Sequence, residues 1–230
     1  LVSSVFFFSP DISIPSASAP VATETRTPFP TKTFAPATPT VEPPEKAQEY
    51  LSRLHVTEAD RFTSNSGWYM DAGKISDGVL EVVGKDWNGL NRRGSFAESS
   101  GVLVNFKVSR GAEFEIFYEY GEFQSPEYRR FGIYYWDAYP KTNLWFGSTS
   151  LDAKSLTGNL SAKSETWYTL LMVTDSGGEL FVAIWERDDP TKSAIYHETN
   201  EKWAGYNWSL RIGANQGSII FDDLMEISFA

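Results

Sequence analysis

The sequence predicts an all-β protein: an antiparallel β-sandwich of jelly-roll type, preceded by a disordered Pro/Thr-rich linker and a short helix. Three observations carry this. Beyond Asp60 the apolar residues recur with a period of two, the mark of strands with one buried face. Turn signals are frequent and no helical period of comparable strength follows Leu54, which argues against alternating β–α units. All eight tryptophans, Trp68 to Trp208, fall after Asp60, where a core can be built, whereas residues 1–50 hold most of the prolines.

Taken in order, residues 1–8 form an apolar run, Leu1 to Phe8, far shorter than the roughly 20 residues of a membrane span. The run is expected to be the end of a membrane span or signal region lying upstream of residue 1, or a segment that packs into a partner. Residues 9–43 mix Pro, Thr, Ser and Ala and cannot bury enough apolar surface to offset chain ordering, so they are expected to act as a semi-rigid polyproline spacer. Residues 44–55 carry the signals of a short helix: proline at the start, acids in the first turn and Arg53 near the end. Residues 56–230 are the sandwich. About 175 residues suffice to bury a core without staples.

Within the sandwich, Val102, Val104, Phe106 and Val108 alternate with Leu103, Asn105, Lys107 and Ser109. The next run is clearer. Phe114, Ile116, Tyr118 and Tyr120 share one face, assigned to the core, and Glu113, Glu115, Phe117 and Glu119 share the other, assigned to solvent. Further strands are expected at 79–83, 130–136, 143–147, 167–174, 179–187, 207–213 and 218–229. Between two of them, Asp175-Ser176-Gly177-Gly178 is a hairpin turn signal.

Composition excludes several chemistries. Cysteine is absent, so there is no disulfide framework, thiolate metal site or cysteine nucleophile. The formal net charge is -10 and basic residues form no run longer than a pair, which argues against nucleic acid as a partner. Of the two histidines, His55 is placed in the helix region and His197 in a loop, and neither stands in a nucleophile motif.

Asp60-Arg61-Phe62 with Gly67-Trp68, the Asp77-Gly78-Val79-Leu80-Glu81-Val82 segment, Trp167-Tyr168-Thr169-Leu170 leading into Phe181-Val182-Ala183-Ile184-Trp185, and the closing Gly217-Ser218-Ile219-Ile220-Phe221-Asp222-Asp223-Leu224 together resemble the concanavalin A-like, laminin-G-like sandwich superfamily. The resemblance spans nearly all of residues 60–230. It implies a sugar-binding or protein-binding module, with glycoside hydrolases and lyases as a minority of members. The hydrolase branch places an Asp between two Glu residues on one strand, where this chain reads Glu113-Phe114-Glu115-Ile116-Phe117-Tyr118-Glu119, so the central Asp is missing. The resemblance also implies a structural Ca²⁺ held by Asp222 and Asp223 with Asp60 from the first strand, against the alternative that Asp222 meets solvent and Asp223 ends a turn or bulge.

Sugar recognition needs a flat aromatic face against the apolar side of a pyranose, with polar groups for the hydroxyls. Trp68, Trp167, Trp185 and Trp208 are assigned to the core; Trp87, Trp136, Trp145 and Trp203 fall in loop-like or strand-end segments. The candidate site is Trp87, Trp136 and Trp145, with Arg92, Asp137 and Asn143 as polar partners. The expected function is a non-catalytic, extracellular or cell-surface module that binds a polysaccharide or glycan, of bacterial type and displayed on a stalk. A structural subunit that forms homo-oligomers through the N-terminal segment is the alternative. A hydrolase is the third reading.

Overall fold

The alternation in Glu113–Tyr120 and Arg129–Trp136 becomes two neighbouring strands, each turning one side chain in two toward a shared interior. The computed structural model describes residues 42–64, 67–70, 73–92, 94–122, 125–137, 144–148 and 154–230, and residues 39–230 form one unit. The expected apolar segment 1–8, the linker up to residue 41 and Asn143 lie outside the described residues. No helix among the described residues is long and apolar enough to cross a membrane.

A single α-helix, α1 (Glu45–Leu51), opens the described chain. The first sheet contains β1 (Leu54–Asp60), β3 (Gly73–Ser76), β4 (Val79–Val83), β6 (Ser100–Val108), β11 (Thr157–Gly158), β12 (Trp167–Thr174), β13 (Glu179–Glu186), β14 (Asp189–Thr199) and β16 (Ser218–Phe229). Its nine strands run in the order β11-β14-β13-β12-β6-β16-β4-β3, with β1 also on β16. The second sheet contains β2 (Trp68–Met70), β5 (Asn88–Arg92), β7 (Glu113–Tyr120), β8 (Arg129–Trp136), β9 (Leu144–Ser148), β10 (Lys154–Ser155) and β15 (Ser209–Gln216). Its seven strands run β10-β9-β8-β7-β15-β5-β2. All pairings between these strands are antiparallel, so the protein is the two-sheet antiparallel sandwich that the periodicity predicts.

The inward rows of both sheets meet in one aromatic-rich core. Phe106 packs against Phe114, Tyr168 and Phe221, with ring centroids 5.6, 5.7 and 6.2 Å away, and Phe131, Trp203 and Trp208 fill the other end. Such large buried rings supply most of the apolar area that drives folding. The β12–β13 hairpin forms as expected: Gly178 takes φ +81, and the Asp175 side chain accepts hydrogen bonds from the amides of Gly177 and Glu179 at 2.9 and 2.7 Å.

Several expectations are corrected. The helix stops at Leu51 because Leu54 already pairs with Phe229, which places His55 in β1 opposite Ser228 rather than in the helix. His197 lies within β14, opposite Phe181, and not in a loop. Trp203 is buried in the core within a 3-10 turn, Glu201–Trp203. Trp167 is half-buried outside the core, with Lys107 and Arg187 5.5 and 4.6 Å from its ring centre. Trp185 is buried, but on the outer side of the first sheet, in the cluster that α1 covers.

Candidate functional site

Turning from the core to the outer side of the seven-stranded sheet, β7 presents Glu113, Glu115, Phe117 and Glu119. Alternation predicts that this side meets water, and here the structure differs. Phe117 is fully buried and Glu115 only 6 % exposed. The cover comes from β8 and β15. Arg130 lies over the Phe117 ring at 4.6 Å and Tyr134 meets that ring edge-on at 4.7 Å, a cation–π contact and an aromatic pair that close over the strand.

Glycines make this close fit possible. Gly132 stands opposite Phe117, where a Cβ would fall 1.9 Å from the Ile116 carbonyl oxygen. Gly213 stands opposite Glu115, and a Cβ there would meet the Glu115 carboxylate at 3.0 Å. The glutamate side chain therefore lies in the space that Gly213 leaves.

The polar groups form a mixed network. Arg130 and Arg211 approach Glu115 at 3.7 and 3.9 Å, and Arg211 also approaches Glu119 at 3.7 Å. The Tyr128 hydroxyl donates to Glu119 at 2.8 Å, Arg130 donates to the Tyr134 hydroxyl at 2.5 Å, and the Asn215 amide donates to Glu113 at 2.7 Å. Burial pushes the Glu115 carboxyl above the usual carboxylate range, against the pull of Arg130, Arg211 and the Tyr134 hydroxyl. Burial, with the nearby Glu115 charge, pushes the Tyr134 phenol up to about 12.

The register places part of the sequence-predicted site on this sheet. Trp136, half-buried, pairs with Glu113 and lies two residues from Tyr134, on the same face. Trp145 pairs with Tyr134 across β8–β9. Trp87, half-buried at φ +58, turns the chain into β5 one residue before Asn88, which pairs with Ala214. Asp137 is used elsewhere: it accepts from the Tyr135 hydroxyl at 2.9 Å and from the Gly111 amide at 2.7 Å, tying the end of β8 to the β6–β7 turn. Arg92 closes β5 opposite Trp68 of β2.

Phe117, Arg130, Tyr134 and Arg211 were not singled out by sequence, and Glu115 only as one of the strand glutamates weighed for a hydrolase. One signal was present: Arg130-x-Gly132-x-Tyr134-x-Trp136 also alternates, with charge, glycine and aromatics on the face that should have been plainly polar.

The three predicted calcium ligands come near one another in the pairing, since Asp60 stands opposite Leu224. Their oxygens face donors and cations. The two Asp60 oxygens accept from the Phe62 amide at 2.8 Å and the Trp68 indole at 2.9 Å, and Asp222 lies 3.5 Å from Arg187. Asp223 takes φ +56 at the bulge where β16 changes neighbour from β4 to β1, and burial, then the Asp222 charge, raises its carboxyl. No three His, Asp or Glu side chains among the described residues converge as a metal requires. The residues do not fit a calcium cage built of these three carboxylates.

Solved structures with the same arrangement of sheets decide the architecture. One, from work on endo-acting O-glycanases of the human gut microbiota that initiate mucin breakdown, matches with a TM-score of 0.59 at 11% identity, covering 76% of this chain and 100% of that one. The fold is concanavalin A-like. This sandwich also matches SCLam, a non-specific endo-β-1,3(4)-glucanase of family GH16, with a TM-score of 0.57 at 10% identity over 78% of this chain and 92% of that one. A CBM2 module of an evolved Dit protein from a Lactobacillus casei phage matches with a TM-score of 0.53 at 10% identity over 77% and 96%. No family model matches the sequence, and no curated protein matches it. The concanavalin A-like sandwich is thus common to this chain, glycan-cleaving enzymes and a binding module; at these identities the likeness concerns the fold.

Proposed function

We propose that this sandwich is a non-catalytic carbohydrate-binding module whose ligand lies on the outer face of the seven-stranded sheet, around Tyr134, Trp136, Arg130 and Arg211. The observation that carries the reading is the Glu115–Arg211–Glu119 arrangement. A glycosidase needs two carboxylates free to face one sugar ring, about 5 to 9 Å apart. Here one guanidinium lies within 3.9 Å of both carboxylates, and the position midway between them on the strand is the buried Phe117. That geometry favours holding a ligand over cleaving it. Trp136 beside Tyr134 supports sugar stacking on the same face. Display outside the cell, on the Pro/Thr-rich linker, belongs to the same proposal.

The test is calorimetric titration of the whole chain with soluble polysaccharides, with a parallel assay for new reducing ends and a repeat in chelator. Saturable binding without reducing-end release, weakened at least tenfold in Trp136→Ala, is the expected result. Release of reducing ends that Glu115→Gln abolishes would replace this reading with a hydrolase, and a flat titration across neutral and acidic polysaccharides would remove it. Retention of binding in chelator is expected, since the proposed face does not include Asp60, Asp222 or Asp223.

A further inference from the structure

We infer that the ligand is a neutral glycan, recognised through its hydroxyls by Arg211 and Glu119, with the buried Glu115 behind them, and not a uronate or sulfated chain; this rests on the binding reading above. The ion pairs on this face stand apart. Arg211 is 3.9 Å from Glu115 and 3.7 Å from Glu119, and Arg130 is 3.7 Å from Glu115, all beyond the roughly 3.2 Å of a direct N–H···O bond. A guanidinium carries five N–H donors, yet the Arg211 guanidinium makes no hydrogen bond among the described residues, and it is about a third exposed.

The partly exposed end of the row therefore sets a donor, Arg211, beside an acceptor, Glu119, with Glu115 buried behind them. A sugar hydroxyl is donor and acceptor at once: it can donate to a carboxylate oxygen and accept from the guanidinium beside it. A hydroxyl of a pyranose would serve Arg211 together with Glu119, and Tyr134 and Trp136 lie on the same face to meet the ring.

Charge then decides the class of sugar. Three glutamates, Glu113, Glu115 and Glu119, share this face with Arg130 and Arg211, in a chain of formal net charge -10. Each arginine is already balanced by a carboxylate, so a carboxylate or sulfate on the ligand would arrive without a counter-charge. Desolvating an uncompensated anion costs more than its contacts return, whereas hydroxyls bring no such penalty.

The experiment compares cellohexaose and mannohexaose with polygalacturonate and dextran sulfate, titrated against the whole chain at low and high sodium chloride. Binding of a neutral oligosaccharide is expected, with Kd changing less than about twofold between the two salts because no net charge is screened. Arg211→Gln and Glu119→Gln, both at partly exposed positions, should each weaken it about tenfold, the scale of one lost charge-assisted bond, with Tm held near wild type. Preference for an acidic polymer, or an affinity that falls steeply with salt, would overturn the inference and leave the binding reading standing. So would neutral binding that both variants leave unchanged. No binding to any of the four would overturn both.

Discussion

Glu115 sits under opposing demands. Burial disfavours its charged form, and two arginines favour it, with burial the larger influence. The native carboxyl thus keeps its proton at pH values where the unfolded chain, with a glutamate near about 4.3, has released it. The sign follows by linkage: the contribution of this group is present in full below about pH 4.3 and is lost as pH rises through the raised native value. Urea midpoints of wild type and Glu115→Gln should show this as a wild-type midpoint that falls relative to the variant between about pH 4 and pH 7. A difference that stays flat over that range would mean that Arg130 and Arg211 cancel the burial. The alternation of β7 correctly placed Glu115 on the outer face, but nothing within β7 reports that Arg130, Tyr134 and Arg211 close over it. Those covering groups come from other strands, one of them nearly a hundred positions along the chain. Asp223 is the converse case, since its left-handed φ at a bulge was among the readings that the Asp-Asp pair allowed.

At the scale of elements, α1 shows how a weak local signal is completed by packing. A seven-residue helix is too short to persist alone in water. It is held by Ala47 and Tyr50 on one face, with the Tyr50 ring stacked on Phe181 at 3.8 Å and its hydroxyl bonded to Glu179, which also lies 3.0 Å from His197. Removing that ring, in Tyr50→Ala, should cost about 3 kcal/mol in chemical denaturation, the scale of a buried aromatic truncation. Binding on the opposite sheet should change less than twofold in the same variant, and a larger loss would mean that the two outer faces are coupled. The central strands were legible within one to three residues because their apolar period is long. The short β2, β3, β5, β10 and β11, the long β14 with only Pro190 and Ala194 buried, and β1 with no fully buried side chain, were not read, because pairing with a neighbour rather than their own pattern makes them strands.

Over the whole molecule, most pairings join distant parts of the chain: β1 pairs Leu54 with Phe229, and β6 lies between β12 and β16. Loop closure must precede the contacts that reward it, so refolding followed by tryptophan fluorescence should fall in the millisecond-to-second range typical of sandwich topologies. A dominant microsecond phase would contradict that topology. Amino-acid order by itself determined the class of this protein: period-two apolar rows, Gly-rich turns and a Trp-bearing region of sufficient length already specify two amphipathic sheets face to face, since each strand must bury one side. It also offered Trp136 and Trp145, which register brings to the same sheet as Glu115. Only the tertiary structure decided which outer face is polar and aromatic, that Asp137 is spent on holding a turn, and that an arginine stands between two glutamates. Those are relations across strands, and side-chain period within one strand carries no record of its neighbours.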